Sequence, residues 1–353
     1  MSGRAPRVLV LGSVLAQPLG GVRRHNAELL PRAAHLLAQR GGELTVLAPR
    51  GGLPFELPPQ ARVELAQLWP GSPAARAAAE AIAVRGLRAR GLRFDLVHTA
   101  HLPVPPLPCA YTLTVHDARQ RQRSAFARAA LRRALRHAAR VITVSAAVRD
   151  ELARALAVPA ARFALVPNAA DHLRYLPRTP AATAPILCVA HLEPRKNQQV
   201  LLRALALDRA LPDVWLVGAA KGDERSRLER LARELGVDAR VRFVEPVSDD
   251  ELARLYAACA CVALPSTLEG YGIPVAEALA AGAPVAIARI PALVEVARVA
   301  GPGAAHEFEP RDAADCLRAL RAAMAQRTCA PPARPGWDAS AAALVDAWSA
   351  AML

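Results

Sequence analysis

The stretch LPSTLEGYGIPVAEALAAGAP, residues 264–284, decides the reading of this chain. It runs from the end of an apolar strand through a glycine-rich turn into a short helix. Gly282 followed by Pro284 is a helix stop. Gly270 and Gly272 allow the backbone to approach a ligand, because glycine lacks a Cβ and accepts positive φ. Pro274 suits the first helical position, where its missing N–H would be unpaired anyway. The turn therefore aims free N–H groups and a positive helix end at one point, which suits a phosphate. Glu269 precedes the turn and Glu277 lies in the helix, eight positions on. A carboxylate accepts two hydrogen bonds and so fits a pair of sugar hydroxyls. An ordinary strand-to-helix connection with one capping and one solvated glutamate would give the same letters. The surrounding chain has to decide.

Working outward, short apolar runs alternate with helical stretches, the signature of parallel α/β sheets. In the first half, strands are expected at 8–11, 44–48, 63–65, 95–99, 111–115, 141–144 and 163–166, with helices at 21–40, 74–90 and 126–139. A Pro-, Thr- and Ala-rich segment at 173–185 reads as a linker. The pattern then restarts, with strands at 186–189, 214–217, 241–244, 261–264 and 285–288. Helices are expected at 197–208, 223–236 and 248–258, the last capped by Ser248 or Asp249, and a final one at 338–352. The expectation is an α/β protein of two Rossmann-like, doubly wound parallel-sheet domains facing a central cleft, where the carboxyl ends of such strands bind ligands. A chain of 353 residues is long enough for two domains.

Composition narrows the function classes. The chain is 53% hydrophobic and 22% charged, which is globular rather than disordered. Its net charge is +14, carried almost wholly by arginine, with Lys196 and Lys221 the two lysines. This arginine bias, with abundant Ala and Pro, fits a GC-rich genome, and basic residues are not interleaved with aromatics, so no nucleic-acid partner is expected. The charge is compatible with an anionic membrane or a phosphorylated substrate. None of the six cysteines forms a C-x-x-C pair, so neither a zinc ribbon nor a redox motif is signalled. Buried, reduced thiols fit the cytoplasm. RVLVLGSVLA near the N-terminus is too short to span a membrane and reads as a first buried strand.

Other constellations gather at predicted strand ends. HLEPRKN, 191–197, puts Arg195 and Lys196 just past a strand, where a planar fork beside a point charge suits a pyrophosphate. Solvated charge before a helix capped by Asn197 is the plainer account. Gly20 and Gly21 form a glycine-rich turn after the first strand without being G-x-G-x-x-G, so the dinucleotide fingerprint is missing and a nicotinamide oxidoreductase is disfavoured. His116-Asp117 ends one strand and Asn168 ends another; a strand-end histidine is as often structural as functional. The stretch 119–140 carries eight arginines and can form a basic amphipathic helix, either solvated or lying on anionic lipid. D-x-D, G-x-x-x-x-G-K-[ST], H-E-x-x-H and G-x-S-x-G are all missing.

EGYGIPVAE within its frame closely resembles the E-x7-E element of retaining GT-B glycosyltransferases of family 4. GGV, TVHD, VPNAAD and HLEPRKNQ are similar to further motifs of that family, in the family's order and over nearly the whole chain. His191 before LEP and Ala169-Ala170 after PN depart from the usual pattern. The resemblance implies an acceptor-binding domain at 1–177, a donor-binding domain at 178–336, and a last helix, 337–353, crossing back to the first. It implies that Glu277 holds the donor ribose and Glu269 the donor sugar. Gly270, Tyr271 and Gly272 would approach sugar and phosphates, and Arg195 and Lys196 would neutralise the diphosphate without a metal or cofactor. His116 would face the sugar, Phe243 and Val244 the base, and Gly20 and Gly21 the phosphate or acceptor, with Asp117 and Asn168 on the acceptor side. The implied reaction moves a mannose- or glucose-type hexose from a GDP- or UDP-linked donor to a glycan or lipid-linked acceptor, in the cytoplasm or at the inner face of the plasma membrane. A nucleotide-sugar-binding protein without transferase activity is the alternative.

Overall fold

The computed structural model describes residues 5–15, 20–68, 72–118, 125–174, 176–326 and 335–352. The chain forms two units, Met1–Asn168 with Pro335–Leu353, and Ala169–Arg334.

In the first unit the strands are β1 (Arg7–Leu11), β2 (Glu43–Pro49), β3 (Ala61–Ala66), β4 (Leu96–Thr99), β5 (Ala110–Val115), β6 (Arg140–Thr143) and β7 (Phe163–Leu165). They form one sheet in the order β3-β2-β1-β4-β5-β6-β7, with every pairing parallel. The helices are α1 (Gly21–Gln39), α2 (Pro73–Ala89), α3 (Ala125–His137) and α4 (Ala146–Leu156). Central strands are near-continuous apolar runs because helices cover both faces of a parallel sheet. Val8 to Leu11 and Leu96 to Val97 are accordingly buried.

The C-terminal helix α11 (Trp337–Ala350) belongs to this unit and packs on α1. Arg32 Nε meets Asp338 at 2.9 Å and Arg40 Nη1 meets Asp346 at 2.5 Å, joining positions 306 apart in sequence. Trp337 and Trp348 anchor the helix, both wholly buried. Truncating such a tryptophan typically costs about 3–5 kcal/mol.

The second unit carries β8 (Ile186–Val189), β9 (Val214–Val217), β10 (Val241–Val244), β11 (Cys261–Leu264), β12 (Val285–Ala288) and β13 (Ala305–Phe308), in the parallel order β10-β9-β8-β11-β12-β13. Its helices are α5 (Gln199–Leu207), α6 (Glu224–Glu234), α7 (Asp249–Ala258), α8 (Ile273–Ala280), α9 (Pro291–Val299) and α10 (Ala313–Gln326). Ser248 caps α7 in a reciprocal box with Glu251.

Sequence reading placed the strands of both sheets except β13, and missed α4, α9 and α10. β13 is the short AHEF, whose first three residues are only half-buried, so it lacks the apolar run that marks the central strands. The start of α5 also differs from expectation. Asn197 does not cap it through its side chain. It sits in the left-handed region at φ 55, and its amide donates to the carbonyls of Pro265, at 3.0 Å, and Pro310, at 2.6 Å. Asparagine tolerates that conformation better than most residues, so here it pins three loops together.

Candidate active site

Both sheets reverse winding direction at one place, between β1 and β4 in the first unit and between β8 and β11 in the second. Open α/β sheets bind ligands beyond the strand ends at such a point. The loops after β8 and β11 carry Arg195, Lys196 and Glu269.

After β8 the chain bridges to Ala220 through Leu192, then turns through Pro194–Lys196. After β11, Thr267 N donates to the Arg195 carbonyl at 2.8 Å, tying the two loops by backbone. Lys196 Nζ then lies 2.5 Å from Glu269 Oε1, and Arg195 Nη1 lies 3.4 Å from Glu269 Oε2 while donating to the Leu268 carbonyl at 3.0 Å. Ser266 Oγ donates to Glu269 Oε1 at 2.7 Å. Arg195 also meets Glu193 at 2.5 Å, and Lys221 Nζ lies 3.5 Å from the other Glu193 oxygen. These are not solvated charges: the Lys196 side chain is 12% exposed and that of Glu269 9%. Burial pushes the Glu269 carboxyl up, but Lys196 and Arg195 outweigh it and hold the group below its ordinary value. Glu269 is thus ionised at neutral pH. Three cations thus meet two carboxylates here.

The turn into α8 needs glycine at one of the two expected places. Gly272 has φ 100, and a Cβ there would meet Leu293 Cδ2 at 2.4 Å. Gly270 is not among the positive-φ residues. Pro274 is the second residue of α8 rather than the first. The helix ends in a Schellman motif, with Gly282 at φ 69, its N–H bonded to the Leu279 carbonyl and that of Ala283 to Ala278. Tyr271 packs half-buried against the core.

Glu277 points into the unit and is 5% exposed. Its Oε1 lies 3.0 Å from His172 Nε2, and its Oε2 accepts from Tyr256 Oη at 2.8 Å. Sequence reading missed His172, Tyr256, Ser266 and Glu193. All but Glu193 reach these carboxylates by long-range packing or a loop turn that local spacing does not encode.

Phe243 and Val244 close the edge strand β10. Arg225 stacks 5.3 Å over the Phe243 ring, and the Val244 carbonyl accepts from Gly218 N at 2.9 Å. Gly218, at the end of β9, has φ 148, and a Cβ there would stand 2.3 Å from the Ala190 carbonyl oxygen. This close backbone approach after β9 was not foreseen.

In the first unit, His116 follows β5 and its ring packs edge-on against His25, with centroids 4.7 Å apart. Its Nε2 is buried and has no hydrogen-bond partner among the described residues. His25 Nδ1 bonds Asn168 Oδ1 at 2.8 Å, so Asn168 is a buried partner rather than a plain turn residue. Trp337 stands edge-on to His25 at 6.3 Å, and Trp348 to His98 at 5.3 Å. Burial lowers His25 to about 4 and His98 to about 3, and holds His116 well below its ordinary value, with help from His25 and His98. These rings are neutral at pH 7. Behind them, His101 Nε2 bonds Glu80 at 2.9 Å. Asp117 is half-buried beside His116. Gly20 precedes α1 in an extended conformation open to any residue, and Gly21 begins the helix.

Among the described residues no group of three or more His, Cys, Asp or Glu is arranged to hold a metal ion, and no helix is long and apolar enough to cross a membrane. The described cysteines are unpaired. Within the arginine-rich stretch, Arg119, Arg121 and Arg123 lie outside the described residues.

Two family models match the chain almost end to end, glycosyltransferase family 4 over residues 19–174 and glycosyl transferases group 1 over residues 179–334. The chain belongs to these group 1, family 4 glycosyltransferases. Among individual relatives, a D-inositol 3-phosphate glycosyltransferase of Nocardioides sp. is 40% identical over 39% of this chain and 34% of its own length. An MMP alpha-(1->4)-mannosyltransferase of Mycolicibacterium hassiacum is 30% identical over 61% of this chain and 58% of its own. The chain thus matches between a third and three-fifths of the length of these two curated relatives. In fold it is similar to Anabaena HepE, solved with UDP-glucose, with TM-score 0.68 at 20% identity, covering 97% of this chain and 94% of that one.

Proposed function

We propose that the chain transfers a hexose from a nucleoside diphosphate-sugar to a hydroxyl of a glycan or lipid-linked acceptor, with retention at the anomeric carbon. The observation that supports this best is Arg195 and Lys196 held against Glu269 where the second sheet reverses direction. Two fixed cations at a strand end suit a leaving diphosphate, whose developing charge they stabilise from a preorganised position. Glu277 would accept from the ribose hydroxyls, and Glu269 would hold both Lys196 and a hydroxyl of the sugar. The second unit is thus read as the donor side, with Phe243 and Val244 near the base, and the first unit, with Asp117 and Asn168, as the acceptor side.

None of these carboxylates is read as a covalent nucleophile. In the proposed front-face reaction the bond from the anomeric carbon to the diphosphate oxygen breaks while the acceptor oxygen bonds to that carbon on the same face. The acceptor's proton passes to the departing diphosphate. The two cations do the work that a divalent ion does elsewhere, so transfer should survive a chelator at full rate. A mannose or glucose donor on GDP or UDP fits the named relatives, one a mannosyltransferase and one solved with UDP-glucose.

The outer face of α3 supports attachment to an anionic surface. Its sequence, AFARAALRRALRH, has no acidic residue. Arg128, Arg132, Arg133, Arg136 and His137 are exposed and border a cavity of about 610 Å³, while Leu131 and Leu135 are buried on the opposite side. Basic residues near an anionic leaflet each add about 1 kcal/mol of attraction. On this reading the protein works peripherally at the inner face of the plasma membrane.

The test is a transfer assay with GDP- and UDP-linked mannose and glucose, run on the unaltered chain and on Lys196→Ala and Glu277→Ala. Both substitutions should cut turnover at least a hundredfold with the fold intact by circular dichroism. Near-normal turnover in either folded variant would overturn the donor-site reading. Donor binding without any transfer or hydrolysis would favour a binding protein.

A further inference from the structure

We infer that His172 and Tyr256 are positioning residues for the Glu277 carboxylate, turning its remaining acceptor sites toward the two vicinal hydroxyls of a ribose. The inference rests on the proposed donor role of Glu277. It goes further by saying what makes that carboxylate fit for a diol.

Three separate elements meet at this group. Glu277 stands on α8, Tyr256 on α7, and His172 on the segment that leads to β8. Each carboxylate oxygen receives one donor, Oε1 from His172 Nε2 at 3.0 Å and Oε2 from Tyr256 Oη at 2.8 Å. All three side chains are nearly out of solvent, at 5% for Glu277, 3% for His172 and 0% for Tyr256. A carboxylate so buried needs such donors, since water is not there to supply them. It offers about four lone-pair sites, so two remain after the pair is made. Two donors on different oxygens also stop the group from rotating about its terminal bond, and a fixed carboxylate plane is what bidentate recognition of a diol requires.

The donors are dependable. A carboxylate only accepts, so His172 must present an N–H at Nε2, which either the neutral Nε2–H tautomer or the protonated ring provides. Burial and the neighbouring Glu277 charge raise the Tyr256 phenol well above its ordinary value, so the hydroxyl keeps its proton across the working range. Tyr256 is also packed in the core by its ring, so Tyr256→Phe removes the donor and leaves the packing.

The experiment uses calorimetric titration of the full chain with UDP and GDP and with their 2′,3′-dideoxy counterparts. For whichever base binds the unaltered protein, Tyr256→Phe should weaken the ribose form about tenfold and leave the dideoxy form within twofold. His172→Ala should do the same, and His172→Gln, which keeps an N–H donor, should recover most of the loss. Equal weakening of both ligand forms, or of neither, would overturn the positioning role while leaving the donor site standing. An unaltered protein that bound ribose and dideoxy forms equally would instead overturn the ribose role of Glu277, and this inference with it.

Discussion

Lys196 Nζ lies 2.5 Å from Glu269 Oε1, joining two loops 73 residues apart at the place where the second sheet changes winding direction. The pair is nearly out of solvent, and breaking such a pair leaves an uncompensated charge that typically costs about 3–5 kcal/mol. Arg195 and Ser266 remain on Glu269 when Lys196 is removed, so the loss should sit at the low end. Lys196→Ala should therefore lower stability by about 3 kcal/mol in urea unfolding. Adding Glu269→Gln should restore much of that stability without restoring transfer. Recovery of both together would mean that Lys196 serves only the fold.

The same pair sets an acid limit. Glu269 has its folded value below the ordinary carboxyl value, so the folded state binds its proton less readily than the unfolded chain. The stability this contributes is present above about pH 4.5 and is lost as the pH falls through the folded value. Unfolding midpoints measured between pH 6 and pH 3 should fall steeply at the acid end, and Glu269→Gln should flatten that end.

The histidines of the first unit give a second, higher window with the same sign. His25 and His98 are neutral when folded, at about 4 and about 3, and protonate near pH 6.5 when unfolded. The unfolded state binds more protons, so their contribution is full above about pH 6.5 and drains away between there and about pH 4. Thermal unfolding at pH 7 and pH 5 should show the loss. His98→Asn should reduce it while leaving the Glu269 window alone.

Three glycines should respond to alanine in graded fashion. At Gly218 the new Cβ would strike the Ala190 carbonyl at 2.3 Å, which is backbone and cannot swing aside. At Gly272 it would strike a leucine terminus at 2.4 Å, which can turn, though φ 100 still imposes strain. Gly86 lies exposed in α2 with nothing within 4 Å of such a Cβ. Gly218→Ala should cost most, Gly272→Ala about 1–3 kcal/mol, and Gly86→Ala should stabilise by about 0.5–1 kcal/mol. Calorimetric melting of the three variants settles the order.

The strands and the two-unit plan were legible because a sheet buried on both faces writes itself as short apolar runs, and Ile186–Val189 or Cys261–Leu264 could hardly be anything else. Arg195, Lys196 and Glu269 could be singled out because ligands of such sheets bind beyond the strand ends, and Glu277 because it lies in the short helix after the glycine turn. What the sequence by itself determined, then, was the alternation, the glycine turn before α8 and the polar groups at strand ends, all consequences of local periodicity and backbone sterics. Tertiary structure alone decided that Asn197 would pin loops rather than cap a helix, that His25 would meet His116 edge-on, and that His172 and Tyr256 would meet at Glu277 from 105 and 21 residues away. Those pairings arise when packed elements bring distant polar groups out of water and within reach of one another.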